Sequence, residues 1–168
     1  SRGYLVVSLE PTATYALKFV YPYLLRNEAS VEVADRTVEA LGLLRELVAS
    51  DRLSVRPVRG RYGVHVPCHQ RALSGAENVL WLLRRAGAEA EVVGDGMCCG
   101  MAGTFGIKAG PIGRKLSQAM GRRLFDAFRS GGFDAIVTES SVCALHLRSG
   151  TGMRVLHPLE LLRFEARS

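Results

Sequence analysis

"GDGMCCGMAGTFGIK", residues 94–108, sets two adjacent cysteines, Cys98 and Cys99, among glycines in a chain that has four cysteines in all. Neighbouring cysteines close a small, strained ring if they bridge to each other. Two thiols in a glycine-rich turn can instead face one soft metal centre, because glycine lets the backbone fold tightly around it. The other two are Cys68 in "HVPCHQ" and Cys143 in "ESSVCALH", with 29 residues between Cys68 and Cys98 and 43 between Cys99 and Cys143. That spacing is neither the CxxC pairing of a zinc knuckle nor the C-x2-C-x2-C run of a small ferredoxin. Any shared site has to be assembled by the fold.

Each of the three cysteine segments follows a predicted strand: "YGVHVP" before Cys68, "AEAEVV" before Cys98 and Cys99, and "FDAIVTES" before Cys143. Helices separate them. One covers 75–86 and ends at Gly87; a longer one starts at Pro111 and stops at the glycines 131–132. Upstream, "YLVVSLEP" reads as a strand ended by Pro11, and "ATYALKFVYPYLL" as a helix bent or stopped near Pro22. Ala34, Val38, Leu41, Leu44 and Val48 form the apolar stripe of one helix over 33–48. Downstream come a short helix "SVCALHL", a strand "MRVLHP" and a terminal helix "LELLRF". This alternation predicts an α/β fold: a mainly parallel sheet with helices on both faces. Sites in such folds collect at the carboxyl ends of the strands, where all four cysteines would cluster.

A length of 168 residues, 48% of them hydrophobic, suits one compact domain with a filled core. No apolar run reaches the roughly 18 residues of a membrane span, and the N-terminus has no signal-peptide pattern. A cytoplasmic location follows as the expectation, with association to an inner membrane only through a partner. Four cysteines permit three disulfide pairings. The Cys98–Cys99 adjacency favours reduced thiolates in a reducing compartment instead. The net charge of +6 is scattered rather than gathered into a basic patch interleaved with aromatics, so nucleic acid is not an expected partner.

Free cysteines are often simply small buried hydrophobes, but the glycines at 98–99 and the strand-end positions ask for a further reason. Four thiolates suit Zn(II) or an iron–sulfur cluster, and the residues alone leave both open. A thiol catalyst would pair Cys68 with His65 or His69, yet no Asn or Asp is placed to orient such a base. His146 and His157 are weaker candidates; His157, before Pro158, reads as fixing a turn. Gly100, Gly103 and Gly106 can bring backbone N–H groups to the sulfurs, and Lys108 can add positive charge. The stretch lacks both the GKS/T ending of a phosphate loop and the GxGxxG fingerprint.

Taken together, "CH", "CCGMAGTFGIK", "MGRRLFDAF", "VTESSVC" and "HPLELL" resemble the cysteine-rich CCG-domain family. Modules of that family occur in the heterodisulfide reductase B subunit, the anaerobic glycerol-3-phosphate dehydrogenase C subunit, the glycolate oxidase iron–sulfur subunit and FAD-linked D-lactate-type dehydrogenases. The resemblance implies a junction from a preceding repeat at 1–26, packed on a CCG domain at 27–168. It implies Cys68, Cys98, Cys99 and Cys143 as ligands of a [4Fe–4S] cluster, with [2Fe–2S] or zinc as alternatives. Ser140 stands where the family commonly has a cysteine, and Ala13 where "EPxC" would place another. Ser140 is then either a weak oxygen ligand or a cap for the helix carrying Cys143. His69, Gly100, Gly103, Gly106 and Lys108 would surround the centre. The implied function is electron relay within a flavin-linked oxidoreductase. FAD on a partner domain or subunit would oxidise a 2-hydroxy acid or glycerol 3-phosphate, and electrons would pass toward a quinone or other carrier. The chain alone would not be catalytic. The rival reading is a non-redox interaction module with a zinc-bound or empty cysteine site.

Overall fold

The computed structural model describes residues 3–167; Ser1, Arg2 and Ser168, at the ends of the two expected stretches, lie outside them. Strand β1 (Val6–Ser8) leads into α1 (Pro11–Tyr15), a π-helical segment (Ala16–Val20) and α2 (Tyr21–Leu25). Pro22 sits in the first turn of α2, and the helix runs on to Arg26, which closes it in the left-handed conformation.

The single helix expected over 33–48 is interrupted. Helix α3 (Glu28–Arg36) stops at Thr37, and the chain runs extended as β2 (Thr37–Glu39) before α4 (Ala40–Ala49). Thr37 and Val38 are β-branched, and their extended backbone pairs in parallel with β1. The stripe was real, since Ala34, Leu41 and Val48 are buried, but two helices share it.

Strand β3 (Leu53–Val55) is followed by β4 (Arg61–Val64), α5 (Cys68–Ala72), α6 (Glu77–Arg85) and β5 (Glu89–Val92). Then come α7 (Phe105–Lys108), the long α8 (Gly110–Ser130), β6 (Ala135–Val137), α9 (Ser141–Thr151), β7 (Val155–Leu156), α10 (Pro158–Leu161) and β8 (Phe164–Ala166). The helix expected from "LELLRF" is therefore only α10. Phe164 instead enters an antiparallel pair with β3, a long-range contact that no local periodicity announces.

The expected α/β fold built on one dominant sheet is corrected by these elements. Among the described residues helix makes up 53% and strand 15%, so the protein is mainly helical. Among the described residues the strands are two to four residues long and are divided among three small sheets, two of them only pairs. The expected strand–helix order located β4, β5, β6 and β7 but lacked β2, β3 and β8, and it carried no information on how far each strand extends.

The four-stranded sheet, order β5-β4-β6-β7, is parallel throughout. Alternate residues of β6 face opposite ways. Ala135 and Val137 join a core with Leu41, Leu82 and Leu83, whereas Ile136 joins Leu124, Phe128 and Leu147. The sheet thus separates α4 and α6 on one side from α8 and α9 on the other. The connection from β4 runs to β5 on one side and that from β6 to β7 on the other, which opens a crevice between β4 and β6 at their carboxyl ends. Among the described residues, no helix is long and apolar enough to cross a membrane.

Candidate metal centre

All four cysteines border that crevice, on the segments that follow β4, β5 and β6, and all are free thiols. They meet as two pairs. Cys68 Sγ lies 3.8 Å from Cys98 Sγ, and Cys99 Sγ lies 3.2 Å from Cys143 Sγ. Cys68 is exposed, Cys98 and Cys143 are half-buried, and Cys99 is buried.

The loop that carries Cys98 and Cys99 is held against α8 by close backbone approach. Gly100 has a φ of +92°, and a Cβ there would stand 2.4 Å from the Ser117 carbonyl oxygen. A Cβ on Gly121 would stand 2.4 Å from the Cys99 carbonyl oxygen. Only glycine fits either position. Ser117 Oγ fastens the contact by donating to the Gly100 carbonyl at 2.8 Å.

Donors surround the sulfurs. The Gly100 N–H donates to Cys98 Sγ at 3.3 Å, and Arg71 Nη2 to Cys68 Sγ at 3.5 Å. Cys99 is held far below the ordinary thiol range, chiefly by the hydrogen bond from Cys143, with help from His146, His65 and the Met101 N–H against the opposing effect of burial. Cys143 is pushed up by that same hydrogen bond and by burial, while the Ser140 hydroxyl acts the other way. The hydrogen bond between the two thiols couples their titration and favours the ionised form at Cys99 over Cys143. Burial pushes the Cys98 thiol up, opposed by the Gly100 N–H, and the neighbouring Cys68 and Cys99 push in the same direction as burial.

Two histidines complete the buried side. A ring nitrogen of His65 lies within 4.8 Å of both the Cys99 and Cys143 sulfurs. His65 Nε2 is buried without a hydrogen-bond partner. His146 approaches Ser117 Oγ at 3.4 Å through Nε2 and packs edge-on against Phe125. A buried imidazole nitrogen left unpaired is unfavourable by about 1–3 kcal/mol. Four thiols beside an imidazole with one unpaired nitrogen make a soft donor set that fits a thiolate-bound metal or iron–sulfur group.

The other residues singled out in the sequence are distributed unevenly. Ser140 occupies the N-cap position of α9 but makes no cap through its side chain; its hydroxyl goes to Cys143. The Glu10 carboxylate takes the Ser141 N–H instead, at 2.9 Å. His69 turns to the N-terminal segment, with Nδ1 3.1 Å from Thr12 Oγ1 and its ring stacked on Tyr15. The Gly106 N–H goes to the Met101 carbonyl, and Gly103 borders open space. Lys108 is exposed at the end of α7. His157 caps α10, with Nδ1 accepting from the Leu159 N–H at 3.2 Å.

Sequence reasoning considered His65 only as a base for Cys68 and missed its place beside Cys99 and Cys143. It also ranked His146 as a weaker candidate, although the Cys143–His146 spacing of three residues on a helix puts both on one face.

Residues 62–148 match the cysteine-rich domain family CCG. The chain is 31% identical over 166 residues to the C subunit of the anaerobic glycerol-3-phosphate dehydrogenase of Escherichia coli (strain K12), covering 96% of this chain and 40% of that protein. It is 31% identical over 149 residues to the glycolate oxidase iron-sulfur subunit of the same organism, covering 84% of this chain and 35% of the relative. Lactate utilization protein A of Anoxybacillus flavithermus is 26% identical over 166 residues, covering 90% of this chain and 68% of its own length. The chain therefore spans well under half of the first two relatives. With its double cysteine, its strand-end thiols and this match over more than half its length, the chain belongs to the CCG cysteine-rich domain family.

Proposed function

We propose that this chain is an electron-transfer module in which Cys68, Cys98, Cys99 and Cys143 hold an iron–sulfur cluster, [4Fe–4S] with [2Fe–2S] as the smaller alternative. The observation that carries this reading is the meeting of two thiol pairs, at 3.8 and 3.2 Å, beyond the carboxyl ends of three adjacent parallel strands. Likeness to proteins named as an iron–sulfur subunit and as a dehydrogenase subunit supports a general redox role. Such a cluster supplies one-electron transfer at a potential set by burial and by hydrogen bonds to its sulfurs. In this chain the Gly100 and Met101 N–H groups, Arg71 and Ser140 provide those hydrogen bonds.

The role is supporting rather than catalytic. FAD would sit on a partner domain or subunit that oxidises a 2-hydroxy acid or glycerol 3-phosphate, and electrons would leave toward a quinone or other carrier. The location would be cytoplasmic, with membrane association only through a partner. Arg114, Lys115, Arg122 and Arg123 are all exposed on α8, the helix that packs on the cysteine loop, and would steer an acidic partner face.

One observation favours a second reading. His65, Cys99 and Cys143 bring their ligand atoms within 4.8 Å of one another, a nitrogen–sulfur set that also suits zinc in a non-redox interaction module. Anaerobic absorbance spectroscopy separates the two. An iron–sulfur protein is brown and bleaches on reduction, and Cys98→Ser abolishes the colour. A colourless protein carrying stoichiometric zinc would establish the second reading. In either case the isolated chain, with or without added FAD, should not turn over D-lactate, glycolate or glycerol 3-phosphate.

A further inference from the structure

The four sulfurs do not surround one point. Among the described residues, His65, Cys99 and Cys143 form the one trio whose ligand atoms lie within 4.8 Å of one another. No three of the four cysteine sulfurs therefore close around a single ion. They stand instead as an outer pair, Cys68 with Cys98 at 3.8 Å, and an inner pair, Cys99 with Cys143 at 3.2 Å. The outer pair has an exposed member and the inner pair a buried one.

We propose that each pair holds one iron, so that the centre is a two-iron, two-sulfide cluster with Cys68 and Cys98 on its outer iron and Cys99 and Cys143 on its inner iron. The proposal rests on the iron–sulfur reading above and narrows it to the smaller of the two clusters.

Coordination geometry distinguishes the clusters. A tetrahedral metal bound to two thiolates at about 2.3 Å holds their sulfurs roughly 3.8 Å apart. The outer pair has that spacing. The inner pair is shorter by only about 0.6 Å, which a small rotation of either side chain restores. Four thiolates on two irons place two on each iron, whereas four thiolates on the four irons of a cubane place one on each. Paired sulfurs match the first arrangement. The second requires the members of both pairs to part and reach different irons.

Packing opposes that parting. The Cys99 carbonyl lies against Gly121, where a Cβ would stand 2.4 Å away, and Ser117 Oγ holds the next residue by its carbonyl at 2.8 Å. Cys143 lies in the first turn of α9, a helix anchored by buried His146 and Leu147. Cys68 opens α5, which Gln70 ties down by donating to the Glu39 carboxylate at 2.8 Å. The Gly100 N–H fixes Cys98 Sγ at 3.3 Å. Two thiolates and two sulfides also fill the inner iron, so His65 is a neighbour of its sulfurs and not a ligand.

The test is native mass spectrometry of the full chain, isolated without oxygen, together with Mössbauer spectra of the iron-57-labelled protein before and after dithionite. The expected species carries two irons and two sulfides per chain. Its irons are both ferric as oxidised, and one ferric and one ferrous after uptake of one electron from dithionite. The reduced protein should show a spin-one-half paramagnetic resonance signal that persists at liquid-nitrogen temperature. A species with four irons and four sulfides, or mixed-valence iron pairs in the oxidised protein, would overturn the proposal while leaving the cluster reading intact. A chain that carries no iron, or zinc alone, would overturn both.

Discussion

The sulfurs of Cys99 and Cys143 stand 3.2 Å apart, although one lies on the loop after β5 and the other on the helix after β6. The contact, with help from His146, His65 and the Met101 N–H, favours the ionised form of Cys99, which is the form that ligates metal. Replacing Cys99 or Cys143 by Ala should reduce bound metal to background while destabilising the apoprotein by only about 1–2 kcal/mol, as expected for a small buried side chain. Metal content per chain and urea unfolding of the metal-free proteins measure the two effects separately.

Gly100 and Gly103 both have positive φ, but only Gly100 touches α8. Gly100→Ala should therefore destabilise the protein by about 3 kcal/mol or more and weaken metal retention. Gly103→Ala borders open space and should be unfavourable by only about 1 kcal/mol, the effect of the left-handed backbone alone. Denaturant midpoints for the two variants give the comparison.

Ser140 acts on the Cys143 sulfur as a hydrogen-bond donor. Ser140→Ala should keep its full metal content and shift the reduction potential downward, because hydrogen bonds to sulfur favour the reduced centre. Loss of metal from this variant would make Ser140 a ligand. Metal analysis and a redox titration distinguish the outcomes.

Burial of Glu139, reinforced by Glu39 and Glu10, raises its carboxyl from 4.5 to about 8. The folded state then holds a proton that the unfolded chain has lost, so stability is fully present below about pH 4.5 and is lost progressively as pH rises to 8. The loss over that window is on the order of 4 kcal/mol. Glu139→Gln should flatten the dependence. Urea unfolding of the apoprotein between pH 5 and 9 measures it.

The site was more legible in the sequence than the fold around it. Cys68, Cys98, Cys99 and Cys143 each follow a recognisable strand, and parallel pairing of three such strands brings Cys68 to Cys98 and Cys99 to Cys143. Sheet size was not legible, because it depends on long-range pairing. β3 finds β8 across most of the chain, and Thr37–Glu39 leaves a helical stripe to pair with β1. His65 and Glu139 were hidden for a related reason. Each is a strand-end residue with no diagnostic spacing, and only the packed structure shows that His65 lies beside two sulfurs and that Glu139 is buried at the wall of an open cleft. Ser140 was placed correctly at a helix start, but the nearby sulfur competed with the backbone for its hydroxyl.

The most direct measurement is iron and acid-labile sulfide analysis of protein purified without oxygen. The account predicts iron and sulfide in matching amounts, retained in wild type and absent from Cys98→Ser and Cys99→Ser. Anaerobically purified protein with neither, or with zinc alone, would contradict it.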